Sequence, residues 1–316
     1  MLLLYTALVH AHHFMLPAVP MEGTQSYISR WLIQDVLFAD QLPYQIRGLI
    51  QLLMITGTGF ALGILMQRYK VLNKPSLLPA MTFVLLCSFY PGLFQAMPEI
   101  WCGLIVMTLL FKIFGAYNKQ RSDMTYFDAG ALSITAVLLY PPMVILLIFS
   151  IIALFRMRST SFREFVIYLI GMITIVFLTG TVLYWFGQLE AFWQDPQWTF
   201  HFFAQAQDSF TTMRIVKLSL IGAVLIMALL LYLDKIATNL IQIRRYMVVC
   251  IWLLLAGIPV AALAPAGTDG AWYILLIPSA TIISYYFFHS KLSLYTESAH
   301  AVLFVATILM QYVTFV

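Results

Sequence analysis

The residues able to do chemistry are few, and most lie in two stretches. Glu22, Asp35 and Asp40 fall close together near the start of the chain. A carboxylate there could act as a general base on a lipid-linked substrate. Asp35 and Asp40 are five residues apart, a spacing that keeps them off one helical face, and a solvated acidic surface is the plainer reading. His201, Asp208, Arg214 and Lys217 form the second group. Their charges could hold a phosphate or pyrophosphate, or they are ordinary rim residues. Arg156, Arg158 and Arg163, the last followed by Glu164, could grip an anionic lipid headgroup; the same charges also anchor membrane topology, which takes precedence. His10, His12 and His13 are the densest histidine cluster. His10 and His13 share a helical face, but zinc wants three or four converging ligands, so no metal site is assigned. No phosphate-binding glycine loop, Gly-x-Ser-x-Gly or His-Glu-x-x-His pattern occurs, and no cofactor is called for.

The elements that must position these residues are set by composition. Of the 316 residues 62% are hydrophobic and only 9% charged, and the mean hydropathy is +0.90. Soluble domains are about one quarter charged, and a soluble fold this apolar would expose large greasy patches to water. Lipid is the matching solvent. There every backbone N–H and C=O must pair internally, which leaves helices or a closed barrel. The apolar stretches are long and continuous, without ten-residue alternation, so helices are expected. The net charge of +4 is too small and dispersed for a nucleic-acid partner. Cys87, Cys102 and Cys250 all sit in apolar spans with no Cys-x-x-Cys pair and read as inert buried thiols. The N-terminus lacks the basic segment of a signal peptide and reads as a short first span.

The expected architecture is all-α: residues 1–316 form one polytopic transmembrane helical bundle of about eleven spans. These cover 1–19, 48–67, 76–95, 98–117, 126–140, 142–155, 164–185, 213–233, 246–263, 271–289 and 298–315. The connections alternate in charge. One set carries Arg68, Lys70, Lys74, Lys119, Arg121, Arg156, Arg158, Arg163, Lys235, Arg244, Arg245 and Lys291; the other has Arg30, Arg47, Arg214 and Lys217. The positive-inside rule puts the basic set in the cytoplasm, with the N-terminus inside and the C-terminus in the periplasm. Lys112, near the cytoplasmic end of its span, is expected to snorkel, and Asp123 and Asp128 to pair with Lys119 and Arg121. The opposite side carries Glu22, Asp35, Asp40, Glu99, Glu190, Asp195, Asp208 and Asp269. It also carries the two long loops, about 20–47 and 186–212. Both are aromatic and amphipathic, and short helices lying in the outer interface are expected in each.

Segment 126–155 is interrupted at Tyr140-Pro141-Pro142. Each half reaches roughly 22 Å as helix, short of the ~30 Å hydrocarbon core. A short, proline-broken pair results, either lining a cavity or turning as a plain hairpin at the outer surface; the hairpin is favoured because no second broken helix matches it. No internal repeat is evident, and no carboxylate is read as lying deep in a span, which counts against an ion-coupled pump.

The run Asp128-Ala-Gly-Ala-Leu-Ser-Ile-Thr-Ala-Val-Leu-Leu-Tyr-Pro-Pro-Met-Val-Ile-Leu-Leu, with Arg163-Glu164-Phe165 and Trp272-Tyr-Ile-Leu-Leu-Ile-Pro-Ser-Ala-Thr-Ile-Ile, resembles a family of uncharacterised inner-membrane proteins of Bacteroidota. The same stretches look distantly like the membrane core of type C glycosyltransferases, which use polyprenyl-phosphate sugars. That second resemblance implies an acidic pair in the first outer loop; here Glu22 precedes Tyr27-Ile-Ser-Arg-Trp, but its neighbour is Met21. The leading expectation is therefore a non-catalytic accessory or assembly component of a cell-envelope complex. Its partners would be the lipid bilayer and other membrane proteins. The alternative is a transferase-like enzyme acting on polyprenyl-linked sugars at the outer face, and a transporter comes third.

Overall fold

The computed structural model describes residues 2–10, 26–37, 42–72, 74–90, 93, 97–117, 123–194, 212–264, 269–289, 298 and 300–308. All regular structure among them is helical. In chain order the helices are α1 (Leu2–Val9), α2 (Tyr27–Trp31) running into a π-helical turn (Leu32–Val36), α3 (Tyr44–Arg68), α4 (Leu78–Ser88), α5 (Met97–Gly115) and α6 (Asp123–Leu139). A 3₁₀ turn (Pro141–Met143) leads to α7 (Val144–Met157), α8 (Phe162–Trp185), α9 (Leu189–Gln194), α10 (Thr212–Thr238) and α11 (Ile241–Leu263). A second 3₁₀ turn (Asp269–Trp272) leads to α12 (Tyr273–His289), and residues 300–308 form α13.

Each expected span contains a helix, but the helices differ in reach. Five are long and apolar enough to cross a membrane: α3, α5, α8, α10 and α11. The span expected over 76–95 is the clearest departure. Its helix α4 stops at Ser88 and, at 1.5 Å per residue, reaches about 16 Å. The reason is local: Tyr90 precedes Pro91, and a residue before proline is pushed out of helical geometry. Length costs α4 nothing, because it is buried from Pro79 to Ser88 apart from Met81. α12 is likewise buried from Tyr273 to Tyr285 apart from Leu275. A helix apolar all round belongs inside a bundle, and these two form its centre, packed on each other and flanked by α3, α5, α10 and α11. α8 and α10 lie at the periphery with most of their apolar surface uncovered. The second halves of the first and last expected spans lie outside the described residues.

Helix ends follow from sequence. Ser161 and Glu164 make a reciprocal capping box at the start of α8. Gly187, at φ +69°, ends it, with Gly187 N–H donating to the Tyr184 carbonyl at 3.0 Å and Gln188 N–H to that of Leu183 at 2.8 Å. α3 closes with the same hydrogen-bond pattern, but Lys70 occupies the left-handed position at φ 53°.

The tightest crossing joins α6 to α8. A side chain at Gly130 would overlap the Tyr168 carbonyl, and one at Gly171 the Phe127 carbonyl. Small residues that let backbones approach are the usual basis of helix association in lipid. Beside this contact Ser133 Oγ donates to Ser150 Oγ at 3.1 Å, and Ser150 Oγ meets the Tyr168 hydroxyl at 2.9 Å, linking α6, α7 and α8 through a buried polar chain.

Candidate functional site

The helices give the bundle two ends of different chemistry. α10 runs parallel to α12, since Tyr232 and Tyr285 stack edge-on at 5.1 Å near their C-termini. α4 runs against α12, since Tyr90 stacks on Trp272 at 6.2 Å. The starts of α3, α5, α10 and α12 therefore share one end, which carries the acidic loops; the other end carries most of the arginines and lysines.

The basic end carries an aromatic cluster and several ion pairs. Tyr69, Phe114, Tyr117 and Tyr246 form a continuous aromatic cluster with centroids 4.6 to 6.1 Å apart. Arg245 stands over Tyr117 and donates to the Met157 carbonyl at 2.7 Å. Of the arginines considered for a lipid headgroup, Arg163 pairs with Asp123 at 2.8 Å, Arg158 lies 3.7 Å from Glu164, and Arg156 sits over the Trp252 ring. Lys112, its side chain 47% exposed, meets Asp128 at 2.6 Å, and Asp123 pairs with Arg163; Lys119 and Arg121, the partners expected for Asp123 and Asp128, lie outside the described residues. α5 and α6 pack side by side, which brings Lys112 within reach of Asp128.

The acidic end carries a cap made from both long loops. Tyr140 to Met143, the proline-marked bend between α6 and α7, is wholly buried beneath it. The bend is thus a hairpin turn, covered by the cap instead of lying open. Pro141 and Pro142 have no N–H, so the Leu138 carbonyl has no donor three or four residues ahead. Ser26, the N-cap of α2, supplies one: its hydroxyl donates to Leu138 O at 2.7 Å, with Leu139 O at 3.0 Å, while it accepts from Ser29 N–H. Ile28, Leu183 and Phe192 close a small apolar core under α2 and α9. Tyr27 OH donates to Gln188 Oε1 at 2.5 Å, joining the two loops, and Trp31 packs on Phe186.

Among the sequence candidates at this end, Asp35 projects from the π-helical turn, exposed and without a basic partner among the described residues. Arg214 and Lys217 are placed in the first two turns of α10, where only their backbone is described. Glu22, Asp40 and His201 lie outside the described residues, as do His12 and His13. His10 follows α1 directly and is buried, with Nδ1 3.1 Å from the Thr6 carbonyl.

A different set of polar groups stands inside the acidic half. Gln51 on α3 is 1% exposed, and neither amide atom has a hydrogen-bond partner among the described residues. Arg47, one turn nearer the end on the same face, has an unpartnered Nε. Glu99, in the first turn of α5, is 5% exposed. It has no cationic partner among the described residues. Sequence reasoning read Glu99 as one more solvated acid and Arg47 as a loop charge. The available signal was the 47/51 spacing at the start of an apolar span, which places both on one face.

Comparison with known proteins adds one finding. The model of a family of unknown function, DUF6427, matches residues 34–315. No curated protein matches the chain, and no solved structure does.

Proposed function

The chain belongs to this family of unknown function, and on that footing we propose that it is a multi-pass protein of the inner (cytoplasmic) membrane. It acts there as a non-catalytic accessory or assembly component of a cell-envelope complex. In this reading it crosses the bilayer about eleven times, with the basic end and N-terminus in the cytoplasm and the C-terminus in the periplasm, as the charge asymmetry requires. The short helices of the cap lie along the periplasmic interface, where Trp185 and Trp193 are exposed at the headgroup level. Helices that cannot reach across alone, such as α4, are enclosed by longer neighbours.

The observation that carries the reading is the cap. It is a compact surface hooked onto the bundle through Ser26 and Tyr27, and it presents Asp35, Val36, Leu37 and Trp193 outward. Groups that converge on a reacting atom make an enzyme; Asp35 is exposed and forms no ion pair with a described base. Purification in native membranes followed by mass spectrometry tests this. Stoichiometric protein partners that disappear with Trp193→Ala and Leu37→Ala support the reading; a chain recovered alone refutes it.

The buried polar groups favour a second reading, an enzyme acting on polyprenyl-linked sugars at the outer face, since carboxylate, amide and guanidinium there suit hydroxyls and a phosphate. A polyprenyl lipid recovered in the same purification would favour it over the first.

A further inference from the structure

At the basic end each described acid has a cation beside it: Asp123 has Arg163, Asp128 has Lys112, Glu164 has Arg158 and Asp234 has Lys235. Arg156, in the last turn of α7, has no acidic partner among the described residues. It is exposed, and its guanidinium carbon lies over the ring of Trp252 on α11, 5.9 Å from the centroid. The two helices pack antiparallel. Arg245, one turn into α11, donates to the carbonyl of Met157, the last residue of α7, at 2.7 Å. Trp252 is seven residues beyond Arg245, about 10 Å further from the basic end. Side chains lean toward the N-terminus of their own helix. Arg156 therefore leans away from the basic end, Trp252 leans toward it, and the two meet at the seam. An arginine at a helix end ordinarily reaches outward for water; this one is turned back over an indole. Below it the surface is apolar. On α7, Ile152 and Ile148 continue the Arg156 stripe in steps of four residues, and on α11 Leu255 continues that of Trp252. Ile148 and Leu255 are both exposed.

We propose that the seam between α7 and α11 binds one anionic phospholipid of the cytoplasmic leaflet, its phosphate on the Arg156 guanidinium over Trp252 and an acyl chain along Ile152, Ile148 and Leu255. The leaflet rests on the sidedness proposed above; the site itself does not. The N–H groups of a guanidinium lie in its plane and fit two phosphate oxygens at once. Stacking on the indole occupies one face and leaves that edge free. Charge selects the lipid. A headgroup with a phosphate and no ammonium brings the negative charge that Arg156 lacks, whereas a zwitterionic headgroup already carries its own cation. Tryptophan is the residue that favours the headgroup level. Arg245 does not compete for the phosphate, because it is committed to the Met157 carbonyl and the Tyr117 ring. Its role is to pin the end of α7 to α11, which sets Arg156 over Trp252.

The test titrates the full-length chain in a neutral detergent with phosphatidylglycerol, or with phosphatidylcholine of the same acyl chains, and counts bound lipid by native mass spectrometry. One phosphatidylglycerol per chain should bind ahead of phosphatidylcholine. Arg156→Gln should lower its affinity about 10- to 100-fold, the loss expected for a charge-assisted hydrogen bond. Arg156→Lys keeps the charge but not the planar fork and should recover only part of that loss. Trp252→Leu should weaken binding in the same direction and stands in where Arg156→Gln does not fold. Arg68→Gln removes an exposed charge from the same end, in the last turn of α3, and should bind like the wild-type chain. The proposal is overturned if the two lipids bind alike, if Arg156→Gln keeps the preference for phosphatidylglycerol, or if Arg68→Gln loses as much. It is also overturned if glycerol 3-phosphate, which has no acyl chain, displaces the lipid at equal concentration. Membrane placement is read separately, by whether the chain reconstitutes into nanodiscs.

Discussion

Ser26→Ala isolates the contact that joins the first loop to the proline bend. The hydroxyl works in both directions: it caps α2 by accepting from Ser29 N–H at 3.2 Å, and it gives its proton to the Leu138 carbonyl at 2.7 Å. Losing an N-cap costs about 1 kcal/mol. Leaving a buried carbonyl without a donor costs about 1 to 3 kcal/mol, and here no backbone N–H can replace the serine, because residues 141 and 142 are both proline. Together the cap should lose about 3 kcal/mol, or roughly a hundredfold in its opening equilibrium. The bundle itself is unaffected, since its core does not run through Ser26. Hydrogen exchange read by mass spectrometry is the assay. Amides of residues 27–37 should exchange roughly a hundredfold faster in Ser26→Ala while those of α12 do not change, and Ser26→Thr should restore protection. Exchange in 27–37 within about threefold of wild type would show that the bend is satisfied some other way, and the account of the cap would fail.

Further outcomes follow from the crossings and helix ends. Gly130→Ala and Gly171→Ala each force backbones apart at the α6–α8 contact and should cost about 1 to 3 kcal/mol in detergent unfolding. Gly180→Ala, which meets nothing within 4 Å, should be neutral or slightly stabilising. Lys70→Gly relieves a left-handed residue at the end of α3 and should raise stability by about 0.5 to 1 kcal/mol in the same measurement. For the proposed sidedness, single cysteines at Gln188 and Asn239 in a chain lacking its native thiols should label with an impermeant maleimide from opposite faces of sealed vesicles; labelling from one face would overturn the orientation.

The apolar spans were legible because solvent preference acts on every residue of a helix, so a composition signal repeats twenty times over. The break at Pro141-Pro142 was legible for the opposite reason, that one residue type removes one donor. What replaces the donor was not: Ser26 lies 112 residues away in sequence from Leu138, and no local pattern marks a serine as the one that will arrive there. The length of α4 was misread because hydropathy is blind to what surrounds a helix, and an apolar segment enclosed by other helices need not match the bilayer. Glu99 shows the same limit at a single residue. An acid in the first turn of a helix is usually a solvated group that complements the positive end of the helix dipole, and sequence alone supports that assignment. Its burial depends on how α5 is turned within the bundle, which no local pattern in the sequence records. The polar groups most in need of a partner are thus the ones whose surroundings are set by other helices, and this is why Gln51 and Glu99 emerge only once α3, α5 and α12 are packed together.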